Sequence, residues 1–502
     1  MNHGLIAVVL IPLASAVAAS LIGRRSERAV RIVIIGAAVF YAFAIYRLGV
    51  AVIAGAVVYR VGGWSAPLGI IMVADSLTIL FLALLCAGYC VFLLHALAQE
   101  RSPRPGMWVL SQLLITALSG IVLAGDLFNL FVFIELASVS SVGLITHKRR
   151  AQGAGAGFVY LLFASISGTL FLIAVMVIYA GVGTLTMADI AANVHRMPTG
   201  GYRAAVALII ASLGIKFGLI PFHFWQAPSY DAAGSSVAAL LSGTGMKMYL
   251  YAFVRILMHT LRAPALLDAA GPLLLVFGAV NILVGHTIAL AERDLKRMLA
   301  YSSVAHVGYI LIGLAAAIAA IEAGATPIAV AAAGALLLHV VFHSLMKATL
   351  FYAGRSLIDR VGESTLERLR GVAYAERAGF AAFVLASMAL VGIPPTSGFF
   401  SKWRVAGEAY TAYGATPVVI VAAGTVISML YYARIFHLGL SRGAATTGRP
   451  RAVRFSLGLV GLLSAATLIF GLIGPQIESI VGQAAAALVD IDAYLGIVQG
   501  GR

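Results

Sequence analysis

The chain has 502 residues, of which 61% are hydrophobic and only 11% are charged. No soluble domain of this length has that composition, which predicts a polytopic α-helical membrane protein instead. The formal net charge of +15 would also suit a nucleic-acid partner. The basic residues, however, cluster in alternate loops, as expected for the cytoplasmic loops of a membrane protein. The charge is therefore interpreted as topological, and no nucleic-acid binding is predicted.

Apolar runs of membrane-spanning length recur from one end of the sequence to the other. The first run is directly followed by others, so we expect a membrane anchor and not a cleaved signal peptide. The tail from Pro475 is typical of a short interfacial amphipathic segment. About fourteen transmembrane helices are predicted, at 4–23, 30–48, 70–95, 107–124, 127–146, 157–180, 203–222, 234–258, 267–290, 299–320, 326–354, 378–402, 413–437 and 453–474.

The basic loops also predict the orientation of these spans. Loops rich in lysine and arginine normally face the cytoplasm. The basic side holds 24–31 ("RRSERAVR"), 147–150 ("HKRR"), 292–297 ("ERDLKR"), 355–377 and 434–454. A multi-pass protein of the cell membrane is predicted, with both termini on the outer side.

Two of the predicted helices are interrupted in a similar way. The stretches "IKFGLIPFHFWQAP" (215–228) and "LVGIPPTSGFFSKW" (390–403) each contain glycine, then Ile-Pro, then aromatic residues, with one lysine. Proline breaks a helix, and the freed backbone groups need partners or water inside a bilayer. Interrupted helices at corresponding places in two halves indicate an ion path, although two ordinary proline kinks would look the same.

Ionisable residues inside the apolar spans are the strongest functional signal, because such residues are costly in a bilayer. In "LLHVVFHSLMKATLFYAG" (337–354), three basic residues spaced by four lie along one stripe of a helix. Glu135 is the only carboxylate deep in a span. Because one carboxylate cannot pair with all the basic groups, the set favours a proton relay over structural ion pairs. The predicted relay consists of Glu135, Lys216, Lys247, His339, His343, Lys347 and Lys402.

Four polar residues form a second tier of candidates: His223, His286, His306 and Asp126. The three histidines lie near the depth of the relay but would fit hydrogen-bonded core positions equally well. Asp126 and Asp75 are expected at the start of a helix or on the surface. Cys86 and Cys90 are the only cysteines and have no partner cluster, so no metal site and no cofactor are predicted.

These stretches together resemble the antiporter-like membrane subunits shared by Mrp-type cation/proton antiporters, respiratory complex I and membrane-bound hydrogenases. "VYRVGGWSAPLGIIMVADSLT" (58–78) is similar to the D branch of the Mrp proteins and its hydrogenase counterpart. The other matching stretches, within about 105–405, are "GDLFNLFVFIE", "GIKFGLIPFHFW", "SVAALLSGTGMKMYLYAFVR", "ERDLKRMLAYSSVAHVGYI", "HVVFHSLMKATLFYAG" and "GIPPTSGFFSKW".

The resemblance implies fourteen helices with two inverted five-helix repeats, in which the seventh and twelfth helices are discontinuous. The corresponding divisions are 1–104 (helices 1–3), 105–258 (first repeat), 259–440 (second repeat) and 441–502 (last helix and tail). The family usually has Trp-Leu-Pro after the first break. Here "WQAPSYDAAG" (225–234) displaces that proline and has Gly234 where a second proline would be, so the geometry of this break is left open.

The resemblance also implies roles for the relay residues. Glu135 would pair with Lys216, and Lys247 would bridge the two halves. Lys402 would end the path in the second broken helix, towards the outer side or the next subunit. The central relay would be formed by His339, His343 and Lys347.

The function implied by the resemblance is proton translocation within a larger membrane complex, most like that of the D subunit of an Mrp-type Na+(K+)/H+ antiporter. The expected partners are other membrane subunits and protons, with Na+ or K+ as candidate ions, and no catalytic chemistry is expected of the chain itself. Three alternatives stay open. They are a pump subunit of an NADH–quinone or hydrogenase complex, the membrane subunit of an ion-gradient-driven inorganic-carbon uptake complex, and a scaffold without a working relay.

Overall fold

The computed structural model describes residues 3–23, 26–64, 69–99, 105–147, 151–443 and 454–499. Parts of three predicted basic loops, 24–25, 148–150 and 444–453, lie outside these ranges. The helices are α1 (Gly4–Ile22), α2 (Glu27–Ile53), α3 (Ser76–Gln99), α4 (Pro105–Leu123), α5 (Leu127–Thr146), α6 (Ala151–Val182), α7 (Met187–Asn193), α8 (Thr199–Phe217), α9 (Gln226–Ala232), α10 (Ser235–Leu240), α11 (Met246–Arg255), α12 (Pro264–Ala291), α13 (Leu295–Glu322), α14 (Thr326–Val361), α15 (Val372–Ala375), α16 (Arg377–Val391), α17 (Ser397–Tyr413), α18 (Ala415–Leu440), α19 (Arg454–Leu472), α20 (Gly474–Val489) and α21 (Ile491–Gln499).

Within the described ranges, twelve helices are long and apolar enough to cross a membrane. The pair Leu457–Leu472 and Gly474–Val489, bent by 85°, would make a thirteenth span. Helices satisfy every backbone group internally, which the hydrocarbon core of a bilayer demands. The prediction of an all-α polytopic membrane protein is confirmed. The predicted span 378–402 is not one helix, because its apolar part, Arg377–Val391, is short and followed by a break.

The predicted third span, 70–95, begins too early. Its first residues form strand β2 (Ile71–Ala74), which pairs antiparallel with strand β1 (Val57–Arg60). Helix α3 begins only at Ser76, where the Asp75 carboxylate accepts a hydrogen bond from the Thr78 backbone amide at 2.8 Å. The apolar run continues from strand into helix, so periodicity does not distinguish a buried strand from a first helical turn.

Both predicted breaks are present. Helix α8 ends at Phe217 and helix α16 at Val391, and each is followed by a glycine in the left-handed region, Gly218 (φ 81°) and Gly392 (φ 90°). Only glycine adopts this conformation without a steric penalty. Each break then contains a cis proline, after Ile220 and after Pro394.

The altered "WQAPSYDAAG" segment keeps the first break. Pro228 lies in the first turn of α9, where its missing N–H has no helical acceptor to lose. Gly234 immediately precedes α10 and serves as its N-cap. The displaced proline therefore starts a short helix and does not restore a continuous one.

The helix Ser235–Thr260 is buried along its whole length. It contains two wide π-helical turns, at Leu241–Gly245 and Ile256–Thr260, one on either side of α11. Such turns are rare and are found mostly at functional sites. Next to it lies α13, which is also almost completely buried.

Helix α20 in the C-terminal tail is buried on one side. Val481, Ala485 and Leu488 are buried, whereas Ile480 is 72% exposed. The buried face packs against α14 and α3.

Candidate functional site

The predicted relay residues are all described, and the six basic ones are almost completely buried. Their side chains are at most 4% exposed, whereas Glu135 on α5 is partly exposed. Among the described residues, no carboxylate lies within 4.0 Å of any of the four relay lysines. Hydrogen bonds to neutral oxygen atoms hold these lysines in place instead.

Lys216 lies in the last turn of α8, just before the first break. Its Nζ donates to the Ser138 hydroxyl of α5 at 2.7 Å and to the Ala164 carbonyl of α6 at 3.5 Å. Glu135 lies one turn before Ser138, but its buried Oε1 has no hydrogen-bond partner. The pair of Glu135 and Lys216 implied by the resemblance is thus not a direct ion pair in this structure, since the Lys216 ammonium contacts the serine and the carbonyl instead.

A small cavity adjoins Lys216. It has a volume of about 10 Å³ and is lined by Tyr160, Tyr230 and Tyr249 among others, which is room for one water molecule. The Tyr249 hydroxyl and the nearby Gln226 Oε1 are buried without a hydrogen-bond partner. Orphaned polar atoms of this kind are normally satisfied by ordered water, so the lining suits a bound water beside the lysine.

Asn281 on α12 satisfies the backbone of the first break. Its Oδ1 accepts from the Ile220 amide at 3.1 Å, and its Nδ2 donates to the Gly218 carbonyl at 3.3 Å. The broken ends therefore keep partners inside the bilayer, as they must. Sequence reasoning missed this residue, and its only signal was one asparagine within the apolar run "GAVNILVG".

A chain of contacts through α13 links Lys247 and Lys347, and it includes two backbone carbonyls, which accept hydrogen bonds but cannot pass on a proton. The Lys247 ammonium donates to the Ser242 carbonyl in the first wide turn, and the hydroxyls of Ser242 and Ser303 are 2.9 Å apart. The Leu299 carbonyl accepts from Ser303 at 3.0 Å and from Lys347 at 2.8 Å.

The Lys347 ammonium also donates to Ser302. The link therefore passes through the "YSS" turn at 301–303, whose two serines sequence reasoning did not single out.

Three imidazole rings stack in the centre of the protein. The centre of the His306 ring lies 4.7 Å from the centre of the His343 ring and 5.3 Å from that of the His339 ring, and each pair of ring planes is within 5° of parallel. His306 Nδ1 and His339 Nε2 are 3.1 Å apart, so one of the two donates to the other. Neither ring nitrogen of His343 has a partner. His306, a second-tier candidate, is thus the middle of the cluster.

The cluster continues on two sides. His339 Nδ1 is 3.0 Å from the Ser401 hydroxyl of α17, one residue before Lys402. His286 lies 5.7 Å from His306, ring to ring, and contacts the hydroxyls of Tyr431 at 3.1 Å and Tyr309 at 3.2 Å. His286 therefore belongs to the same polar core.

Lys402 lies after the second break and reaches back across it. Its Nζ donates to the Val391 carbonyl at 3.0 Å, at the end of α16. It also lies 4.7 Å from the centre of the Tyr309 ring, within the range of a cation–π contact. Lys402 thus joins the polar core to the break.

The two remaining second-tier residues lie apart from the stack. His223 occupies the short turn after the first break, its Nδ1 has no partner, and its ring lies 4.6 Å from Phe224. Asp126 caps α5 and accepts from the amides of Phe128 and Asn129, both at 2.9 Å. Burial raises the pKa of Asp126, outside the spans. Its position confirms the expected start of a helix.

Asp75 also starts a helix, but it is not on the surface. It forms an ion pair of 2.7 Å with Arg255, and both side chains are less than 10% exposed. Arg255 and His259, at the end of the predicted span 234–258, were not singled out from the sequence. Two ionisable side chains at the end of an apolar span were the signal for this cluster. Their closeness to the following loop made them look like ordinary loop residues.

The chain is similar to a family of known membrane proteins. The family described as "NADH:quinone oxidoreductase/Mrp antiporter, TM" matches residues 124–428, more than half of the chain. The N subunit of the NADH-quinone oxidoreductase of Desulforudis audaxviator is 32% identical over 490 residues, 94% of each chain. The D subunit of the Na(+)/H(+) antiporter of Bacillus subtilis is 27% identical over 513 residues, 99% of each. A chain of an archaeal membrane-bound sulfane sulfur reductase has the same fold, with a TM-score of 0.88 at 23% identity, over 98% of this chain and 100% of that one.

Proposed function

The chain belongs to the NADH:quinone oxidoreductase/Mrp antiporter transmembrane family, and from that premise we propose that it moves protons as one subunit of a larger membrane complex. The observation that carries this proposal is the row of buried basic side chains between the two broken helices. Hydrogen bonds or ring stacking join several of its members to each other, and among the described residues no carboxylate forms a direct ion pair with its lysines.

The relay works because charge is expensive in the low-dielectric interior. Two ammonium groups there repel each other strongly, so only some of the basic groups are protonated at once. When a group at one end of the relay takes up a proton, its new positive charge repels the charges of neighbouring protonated groups. Those groups then lose their protons more easily, and transfer continues along the relay. Lysine and histidine can do this because each has a neutral form that accepts what the charged form donates.

We infer the order of the steps from the positions of the groups. Glu135, one helical turn before Ser138, compensates part of the charge of Lys216 without a direct ion pair, and the adjoining cavity offers a water site towards α11. Between Lys247 and Lys347, the hydroxyls of Ser242, Ser303 and Ser302 are the groups that can take up and release a proton. The stacked rings of His306, His339 and His343, with His286 edge-on to His306, lead towards Ser401 and Lys402.

The two breaks also support the proposed domain organisation. The segments 105–258 and 259–440 each contain one helix that ends at a left-handed glycine, Gly218 or Gly392, and continues after a short break. We assign these segments to two inverted repeats, preceded by 1–104 and followed by 441–502. The basic loops support a cell-membrane location with both termini outside.

Two complexes are candidates for the assembly. Coverage of 99% of both chains favours an Mrp-type antiporter, in which Na+ or K+ would move against protons. The 32% identity to an N subunit favours an NADH–quinone complex as the second candidate. Purification of the tagged chain with its native partners would distinguish them, because the redox subunits of the second are absent from the first.

Everted vesicles containing the intact complex test the transport itself. The pH gradient formed on adding Na+, K+ or NADH is followed with a pH-sensitive dye. Lys347→Met should reduce the rate about tenfold or more, as expected for a group that transfers protons. The matched control is Lys296→Met, since Lys296 at the start of α13 bonds to Asp231 outside the relay. Equal rates in both variants and the wild type would refute the proposal.

A further inference from the structure

A second buried polar cluster lies apart from the relay. Arg255 is its centre, with the ion pair to Asp75 at 2.7 Å and a hydrogen bond to the Tyr251 hydroxyl at 3.0 Å. The guanidinium also lies 5.2 Å from the centre of the Tyr494 ring. Asp75 lies outside the spans. Burial opposes its charged form, but Arg255 and the Thr78 amide outweigh that effect and lower its pKa. The carboxylate is therefore charged at neutral pH.

The geometry fixes the hydrogen atoms of His259. Arginine can only donate, and its Nη1 is 2.9 Å from His259 Nδ1. A carbonyl can only accept, and the Leu488 carbonyl is 2.8 Å from His259 Nε2. The ring must therefore be neutral, with its proton on Nε2. A ring held in this way has no nitrogen free to pass on a proton, so the cluster is built to hold position and not to conduct.

The cluster joins four separate parts of the fold. Asp75 directly follows strand β2 and starts α3, and Arg255 ends α11. Leu488 lies near the end of α20, and Tyr494 lies on α21. The hairpin and the two C-terminal helices are thereby fastened to one end of α11.

The other end of α11 carries Lys247. Eight residues separate it from Arg255, which is about 12 Å along a helix. The π-helical turns on both sides of α11 each accommodate an extra residue, and between them α11 packs against α8 and α4. At the Lys247 end, the ammonium is bonded to the Ser242 carbonyl within its own wide turn. The charged attachment of α11 is therefore at Arg255.

We propose that Arg255 is a positioning residue for Lys247, through which the β1–β2 hairpin and α20–α21 set the place of this lysine in the relay. The inference rests on the proposed proton transport. Removal of the charged pair would release α11 and change how readily Lys247 takes and gives its proton, although neither Asp75 nor Arg255 touches it.

The test uses the intact complex in everted vesicles. The double variant Asp75→Asn with Arg255→Gln removes both charges together, because a single removal would leave a buried charge unpaired. We expect a rate about fivefold lower and a displaced pH profile of transport, with Arg255→Lys intermediate. Arg355→Gln is the control, since it removes an ion pair with Asp359 on the half-exposed surface of α14.

The outcomes separate the two claims. A lower rate with an unchanged pH profile, or an unchanged rate, overturns the positioning role. If the double variant does not assemble, Arg255→Lys is judged by the same two criteria. Lys247→Met is measured alongside. If this variant transports normally, the relay assignment of Lys247 fails, whereas its inactivity beside an unaffected double variant refutes only the role of Arg255.

Discussion

The two broken helices solve one problem in different ways. At the first break, Lys216 stands before the glycine and points away to Ser138 on another helix, while Asn281 satisfies the freed backbone. At the second break, Lys402 stands after the glycine and bonds to the Val391 carbonyl across the gap. At the first break, the backbone support and the buried ammonium group thus belong to two residues, whereas at the second break one lysine supplies both.

This difference has a chemical consequence. The Lys402 ammonium donates to a backbone carbonyl that the break sets free, whereas the shorter hydrogen bond of Lys216 goes to a hydroxyl one helical turn from a carboxylate. The first break is therefore suited to exchange protons readily. The second is suited to couple proton loss to a change in the backbone, because deprotonation weakens the bond that ties the break together.

The largest effect is expected for Lys402→Met. The variant should lose transport about tenfold or more, and the complex should also be less stable, because the unpaired Val391 carbonyl costs about 1–3 kcal/mol. Transport in vesicles and the thermal midpoint in detergent are the two measurements. An unchanged midpoint would contradict the double task assigned to this lysine.

Lys216→Met should lose transport to a similar extent but keep the thermal midpoint. Its removal takes a donor from the Ser138 hydroxyl, which keeps its own bond to the Ile134 carbonyl, and a long 3.5 Å bond from the Ala164 carbonyl. It also eliminates an ammonium that is costly to bury. The same two measurements apply. If the thermal midpoint fell as far as in Lys402→Met, the claim that the two lysines differ in their support of the breaks would be wrong.

Asn281→Leu should show the reverse of Lys216→Met, with a larger effect on thermal stability than on transport. Two backbone groups of the first break lose their partner, so the thermal midpoint should fall by the equivalent of about 1–3 kcal/mol. Transport should fall less than in the lysine variants. Thr287→Val on the same helix is the control, because this hydroxyl bonds only to the Leu283 carbonyl of its own helix. Equal midpoints in the two variants would show that the break needs no such support.

The smallest effect is expected for Gly168→Ala. A methyl group at this position would overlap Glu135 Oε1, so the flexible carboxylate must move while the helices stay in place. We expect transport to change about threefold, well under 1 kcal/mol, at constant thermal stability. Gly155→Ala on the same helix meets no atom within 4 Å and should leave transport unaffected.

The sequence predicted the spans and both breaks because hydropathy and proline act locally. It ranked His306 too low because a single sequence indicates how deep a residue lies but not which helix faces it. The same limit hid Asn281 and the serines of α13, whose roles depend on backbone groups from other helices. The hairpin was missed because its second strand is as apolar as the helix that follows.

The two ring nitrogens of His343 are relevant to how a proton relay avoids leaking protons across the membrane. Moving one elementary charge across the membrane changes its energy by about 2.3 kcal/mol per 100 mV of membrane potential. A permanently continuous row of donors and acceptors would therefore let protons leak across the membrane. His343 is completely buried between His306 and Lys347, yet neither ring nitrogen has a hydrogen-bond partner among the residues that the structure describes. In this conformation His343 therefore interrupts the row of hydrogen bonds. Rotation of one ring, or the arrival of one water molecule, would complete the row and allow a single proton transfer.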